Sequence, residues 1–344
     1  MKTTMLVLGA IILVPLFAAY SGNAQDQRAA RAGGPVLVLD GVTVGVLNSA
    51  KGGNAYADVL TEVLGADGVA HKHIGPPKYE DITLVAGLGV DKSFWDWIGA
   101  SLNYKHVRKN GSVEPAEFDA VEMQTLEFYD ALVTEMSIPD SDAESKNVQK
   151  MTIKVRPEYT RMKKGSGNAG VTLPPARPRR RWISSNFRLV IDGVDCSKVS
   201  KIDGFTIKIN PPTDVIGQDR DPVKEPGKIE FPNLQVTLPE RFAQDFRAWH
   251  EDFLIKGNNG QDKEKGGSIE FLSPDRKDVL MKITLKNLGI FKLAPEEASA
   301  KSCDCDLCQT VVDGANSVRR APALTASLYC EGMDFHFIEP PEPE

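Results

Sequence analysis

Residues 78–98, KYEDITLVAGLGVDKSFWDWI, change period halfway along. Ile82 and Leu84 are apolar while Asp81 and Thr83 are polar, the alternation of a strand with one buried face. The Gly-containing corner Ala86-Gly87-Leu88-Gly89 follows, and Asp91 then stands where a helix N-cap belongs. Beyond it Phe94, Trp95 and Ile98 recur at helical spacing. The pattern predicts a strand, a tight corner and a short aromatic helix.

The same order of elements returns later in the chain. VLVLDGVTVGVLNSAKGG at 36–53 and RLVIDGVDCSKVSKIDGF at 188–205 match at a constant offset, placing Asp40, Gly41, Val42 and Gly52 on Asp192, Gly193, Val194 and Gly204. In each, an alternating strand meets Asp-Gly, a strong hairpin signal, and a second strand is expected after it. ITLVAGLGV near residue 82 has its counterpart in LQVTLPERF near residue 234, and each leads into an aromatic helix. The second helix is expected between Pro239 and Gly257, with Phe242, Phe246, Trp249 and Phe253 on one stripe. MQTLEFYDALVTEMSIP and MKITLKNLGIFKLAP then read as long strands carrying Asp130 or Asn287 midway and ending near Pro139 or Pro295. VQKMTIKVRPEYTRM and APALTASLYCEGMDFHF close the two halves. The fold class expected is mainly β, of α+β type: two tandem β-barrel or sandwich domains, each with one covering helix.

Length and composition fit that division. The chain has 344 residues, 26% charged and 7% aromatic, which is globular material with room for two domains. A formal net charge of −6 argues against general nucleic-acid binding. Residues 1–24 carry one early lysine, an apolar run and small residues at Gly22 and Ala24, the pattern of a secretory signal. The expected location is therefore the periplasm or the exterior, or the membrane surface if that segment remains as an anchor. Residues 25–34 read as a flexible leader, 35–160 as the first domain, 161–184 as a Gly/Pro/Arg linker, 185–338 as the second domain and 339–344 as a Pro/Glu tail. Arg177, Arg179, Arg180 and Arg181 make the linker a local basic patch, read either as a contact for nucleic acid or an acidic partner surface, or as a solvated tether.

Candidate chemistry is sparse. Cys303, Cys305 and Cys308 form a C-x-C-x-x-C cluster, and Cys196 and Cys330 complete a set of five. Closely spaced thiolates suit a zinc ion, whereas an exported protein would oxidise them to disulfides and leave one over; both readings stand. His71 and His73 share one face of a strand and could hold a metal, but no acidic or cysteine partner accompanies them at ligand spacing. No serine or cysteine sits in a nucleophile elbow, and the glycine pairs at 87–89 and 165–167 lack the setting of a phosphate loop. No catalytic constellation and no cofactor are expected.

Two stretches carry a family resemblance: KHIGPPKYEDITLVAGLGVDKSFWDWI and KNGSVEPAEFDAVEMQTLEFYDALVTEMSIPDSDAESKNVQKMTIKVRPE. The K-Y-x-D-I-T-L segment, the turn with Gly, the aromatic helix ending in W-I and the later N-G hairpin make residues 36–160 similar to the tail tube protein family of contractile phages and related injection machines. The second half resembles it mainly through the first, keeping the L-x-I-D-G-V opening and the helix without the K-Y-x-D-I-T-L wording. The resemblance implies a non-enzymatic structural subunit that associates with copies of itself into stacked rings through edge-strand pairing, three two-domain subunits imitating a six-fold ring. It implies sheath, baseplate or envelope proteins as further partners, and a loop over residues 52–78 reaching the next ring. Lys78, Tyr79, Asp81, Trp95 and Trp97 are the candidate subunit-contact residues. An exported adaptor that kept the fold without forming tubes is the first alternative, and a secreted metal-binding or hydrolytic protein the second.

Overall fold

The structure, a computed structural model, describes residues 34–63, 70–114, 124–164, 181–210, 213–214, 223–224, 227–296 and 322–338. The first half supplies β1 (Val36–Leu39), β2 (Val42–Val46), β3 (Ser49–Gly52), β4 (Ala55–Val63), β5 (Ala70–Tyr79) and β6 (Ile82–Ala86). Helix α1 (Lys92–Leu102) follows, then β7 (Lys109–Glu114), β8 (Gln124–Ile138), β9 (Ser141–Asp142), β10 (Met151–Arg156) and β11 (Tyr159–Lys164). The second half supplies β12 (Phe187–Ile191), β13 (Lys201–Ile202), β14 (Phe205–Asn210), β15 (Thr213–Asp214), β16 (Val223–Lys224), β17 (Lys228–Glu230) and β18 (Leu234–Pro239). Helix α2 (Gln244–His250) and β19 (Lys265–Leu272), β20 (Val279–Pro295) and β21 (Ala323–Phe337) complete it. The protein is mainly β, as expected, and its sheets are open.

One sheet runs β2-β1-β7-β8-β10-β6-β3, and a second runs β12-β19-β20-β21-β18-β13-β9. The two halves pair their strands in the same register. Ser49 lies opposite Val85 in β3·β6 where Lys201 lies opposite Thr237 in β13·β18. Leu37 lies opposite Val113 in β1·β7 where Leu189 lies opposite Ile269 in β12·β19. Gly111 and Gly267 occupy matching places, and at each a Cβ would come within 2.4 or 2.5 Å of a carbonyl oxygen on the facing strand, Val38 or Val190. Only glycine allows that approach.

The long strands β8 and β20 each contain a non-glycine residue in the left-handed region, Asp130 (φ 49°) and Asn287 (φ 53°). Asp and Asn are the side chains that tolerate this conformation most readily. In β8 the turn falls where the strand changes neighbours: residues up to Ala131 pair with β7 and β11, and those from Leu132 pair with β10 and β14. The bend lets one strand belong to two sheet surfaces.

Several expectations are corrected. The Asp-Gly hairpin forms in the first half, where Asp40 and Gly41 both have positive φ, the pattern of a type I′ turn. At the second site only Gly193 does, and the chain makes a single bridge, Ile191 to Val194, before an Asx turn in which Asp195 accepts from Ser197 N at 2.8 Å. A two-residue turn that is left-handed only at its second position is not one of the primed turns that match the twist of paired strands, and no second strand follows. The second helix is likewise interrupted: a 3₁₀ turn (Glu240–Phe242), α2, then a π turn (Glu251–Ile255). Phe246, Trp249 and Phe253 are buried, but Phe242 is 38% exposed and lies under Arg241 rather than on the stripe. The closing strand of the first half is split at Pro157 into β10 and β11, while β21 runs unbroken. Proline has no N–H for the ladder.

The ends of the span read as linker belong to the fold. Arg161 to Lys164 are strand residues, and Trp182 is 1% exposed, with its ring edge-on to Phe271 at 4.8 Å. Its carbonyl accepts from Gln149 N at 2.8 Å, which fastens the start of the second half to the first. Residues 1–33, most of the linker with Arg177, Arg179 and Arg180, and the tail lie outside the described residues.

Candidate functional site

The two halves meet along a seam of paired strands. The end of β8 takes β14 from the second half as its neighbour, with Ile138, Ser137, Met136 and Glu135 opposite Phe205, Thr206, Ile207 and Lys208. Met136 and Ile207 are both fully buried, and the hydroxyls of Ser137 and Thr206 lie 2.8 Å apart on the other face. β9 crosses in the opposite sense and pairs with β13. Asp140 accepts from Gly204 N at 2.6 Å beside it. The seam joins the sheets by main-chain hydrogen bonds and buries apolar side chains, the ingredients of strand addition.

Helix α1 clamps the same junction. Asp91 caps it as expected, accepting from Ser93 N at 2.9 Å. Trp97 is 2% exposed and donates its indole N–H to Val107 O at 2.7 Å. Trp95 is 3% exposed and stacks on Phe337 of the second half at 4.8 Å, and Asn103 exchanges hydrogen bonds with the Phe335 backbone. The expectation that Trp95 and Trp97 contact a neighbouring subunit is therefore corrected: both rings are covered within the chain. Trp95 joins the two halves, and Trp97 ties α1 to Val107 within the first.

The other three contact candidates stand at the root of the β4–β5 arm. Lys78 Nζ binds Asp58 Oδ2 at 2.5 Å across the arm, a bond that raises its pKa. Tyr79 OH accepts from Arg161 Nη1 at 3.1 Å. Asp81 takes a two-pronged ion pair from Arg156, Nε at 2.7 Å and Nη2 at 3.0 Å, which raises the arginine pKa in turn. These pairs brace the arm where it leaves the sheet. Further out, Tyr56, Val59, Leu60 and Ile74 are 50, 63, 51 and 79% exposed, an apolar surface on a two-stranded ribbon. Such a ribbon is marginal alone and gains from a partner.

The described metal candidates, His71 and His73, belong to no cluster of three ligands. His71 and His73 are exposed on β5, with His73 Nε2 4.0 Å from Glu62 Oε2 across the arm. Among the described residues no three metal-ligating side chains converge. Cys303, Cys305 and Cys308 lie outside the described residues. Cys196 and Cys330 are buried free thiols; burial pushes Cys196 up to about 12 and raises Cys330, so neither is poised as a nucleophile. Cys330 Sγ donates to Gly332 O at 3.0 Å.

The residues that sequence reasoning missed are those of the seam: Met136, Ser137, Thr206 and Ile207. Their alternation marked strands, but nothing in either segment indicated that the two strands pair with each other. Trp182 was hidden by its basic, proline-rich flank.

Comparison with known proteins bears on the first half. Residues 36–161 match the family model of the T4-like virus tail tube protein gp19. Among solved structures, the chain is similar to a component of the sheath-tube complex of an extracellular contractile injection system, PVC, in its extended state. That match has 18% identity and a TM-score of 0.32 and covers 38% of this chain and 88% of that one. A chain of the PVC sheath/tube terminator matches at 18% identity and a TM-score of 0.33, covering 45% and 99%. A chain of the anti-feeding prophage tube-terminating cap matches at 14% identity and a TM-score of 0.36, covering 49% and 99%. No curated protein matches.

Proposed function

We propose that this chain is a structural subunit of a phage tail-like tube, built from two tandem tube-type units and assembling with copies of itself into stacked rings through edge-strand pairing. The family match over residues 36–161 supports the tube assignment for the first half. One observation carries it to the whole chain: the second half pairs its strands in the first half's register, and β14 of the one completes the sheet of the other. A unit that already accepts a strand from its copy within one chain is suited to accept one from another chain. Sheath and baseplate proteins are the further partners this role entails. The root of the arm, with Lys78, Tyr79 and Asp81, is assigned to ring contacts.

Negative-stain electron microscopy of the purified protein, with mass photometry on the same sample, tests the reading. Rings or stacked tubes, with masses in multiples of the chain, are expected. A uniform monomer at high concentration overturns self-driven assembly and leaves an adaptor that kept the fold.

A further inference from the structure

Because the halves share one register, a contact made by one half can be transferred residue by residue to the other. β14·β17 pairs Lys208 with Glu230 and Ile209 with Ile229 where β4·β5 pairs Tyr56 with Lys78 and Ala57 with Pro77. The first-half counterparts of the seam residues Thr206, Ile207 and Lys208 are therefore Asn54, Ala55 and Tyr56. β8·β10 pairs Met136 with Ile153 and Glu135 with Lys154, and skips Thr134. β20·β21 pairs Leu293 with Ala326 and Lys292 with Ser327, and skips Phe291. The counterparts of Ser137, Met136 and Glu135 are therefore Ala294, Leu293 and Lys292.

Both counterpart edges are open among the described residues. β4 pairs only with β5, and past Leu288 the strand β20 pairs only with β21. Their side chains are correspondingly uncovered. Thr134 is 4% exposed but Phe291 is 40%, Met136 is fully buried but Leu293 only half-buried, and Ile207 is fully buried but Ala55 is exposed. The Trp95–Phe337 contact itself does not transfer, since the register gives Arg247 and Lys164 in their places. The last turn of the second helix instead carries Leu254 and Ile255, 42 and 63% exposed. The counterpart of Phe335 at the end of β11 is Met162, 55% exposed.

We propose that residues 53–56 of one copy pair antiparallel with residues 292–295 of the next, Asn54 opposite Ala294 and Ala55 opposite Leu293. This head-to-tail seam repeats the internal one and brings Met162 against the last turn of the neighbour's second helix. The occupant of each open edge is a second copy of this chain. The inference rests on the tube reading and deepens it by naming the joining surface. A head-to-tail contact uses two different patches, so an open row of copies keeps one free edge at each end until a ring closes.

Paired cysteines test it. The Ser137 and Thr206 hydroxyls are 2.8 Å apart in the internal seam, so cysteines at Asn54 and Ala294 fall within disulfide reach in the proposed one. The N54C and A294C variants, mixed and mildly oxidised, are expected to give covalent dimers beyond the parent's own oxidation pattern, and neither variant alone should do so. The double variant should give a ladder of multiples. Leu293→Asp should abolish the oligomer, and Ala55→Lys added to it should restore it. Rings in the microscope without the N54C–A294C cross-link overturn this seam and leave the tube reading standing. A parent that stays monomeric overturns both.

Discussion

Met136 on β8 and Leu293 on β20 occupy matching positions beyond a left-handed residue, Asp130 or Asn287, and pair with matching partners on β10 or β21. Met136 is nevertheless sealed under β14, while Leu293 borders an edge with no described neighbour. The same holds for the helices, where Trp95 is covered by Phe337 and its counterpart Arg247 is exposed. Register is set by each half's own hydrogen bonds and bulges, whereas burial depends on which strand arrives next to it. Two units with equal register and unequal burial therefore indicate where a partner sits and where one is due.

The largest expected effect comes from the clamp. Trp95→Ala should cost roughly 3–5 kcal/mol in urea unfolding, because it empties a packed site shared by both halves, whereas Arg247→Ala should stay within about 0.5 kcal/mol in the monomer. Equal losses would remove the asymmetry. Next, Met136→Ala should cost about 2–5 kcal/mol and Leu293→Ala about 1 kcal/mol or less in dilute solution. Asp130→Val and Asn287→Val should each cost about 1–3 kcal/mol, since a β-branched side chain is strained at positive φ. Glycine at either place should be tolerated, and a difference between the halves would show that the two bends are not equivalent. Asp91→Ala should cost about 1 kcal/mol of thermal or chemical stability, while α2, which begins at Ala243 without a side-chain cap, offers no matching loss.

The smallest effect is set by pH. Glu270 on β19 is 8% exposed; burial alone would raise its pKa, but hydrogen bonds from Arg188 (2.5 Å) and Lys282 (3.2 Å) outweigh that and hold it below the ordinary value of 4.5. A lowered folded pKa stabilises the fold above the unfolded value and loses that contribution as pH falls through the folded one. The melting difference between the parent and Glu270→Gln should be present at neutral pH and vanish in strong acid. Its first-half counterpart Glu114 accepts a hydroxyl from Ser112 instead, at 3.0 Å, so Glu114→Gln serves as the control.

Much of the fold was legible because its signals are local. Alternation placed β6, β8 and β20, an aspartate marked the α1 cap, and the Asp-Gly offset exposed the correspondence of the halves. What escaped were properties of pairs distant in sequence. Trp95 looks like a surface anchor until Phe337 is brought onto it, and Ile207 looks like any strand residue until it meets Met136. Asp130 and Asn287 were visible midway along their strands, but a single aspartate does not announce a bend unless the strand is known to change neighbours there. The π turn after His250 had no signal either, since it follows from fitting Trp249 and Phe253 into one core.

The seam between β8 and β14 closes within one polypeptide, so its formation is a first-order event. Its strands meet at the effective concentration of linked segments, on the order of millimolar for a short tether. Dilution cannot separate them. In an assembly of such chains every second joint is then complete when the chain has folded, and only the alternate joints respond to protein concentration. In the ring proposed above, fusing two units into one chain thus halves the number of joints that must form between separate chains.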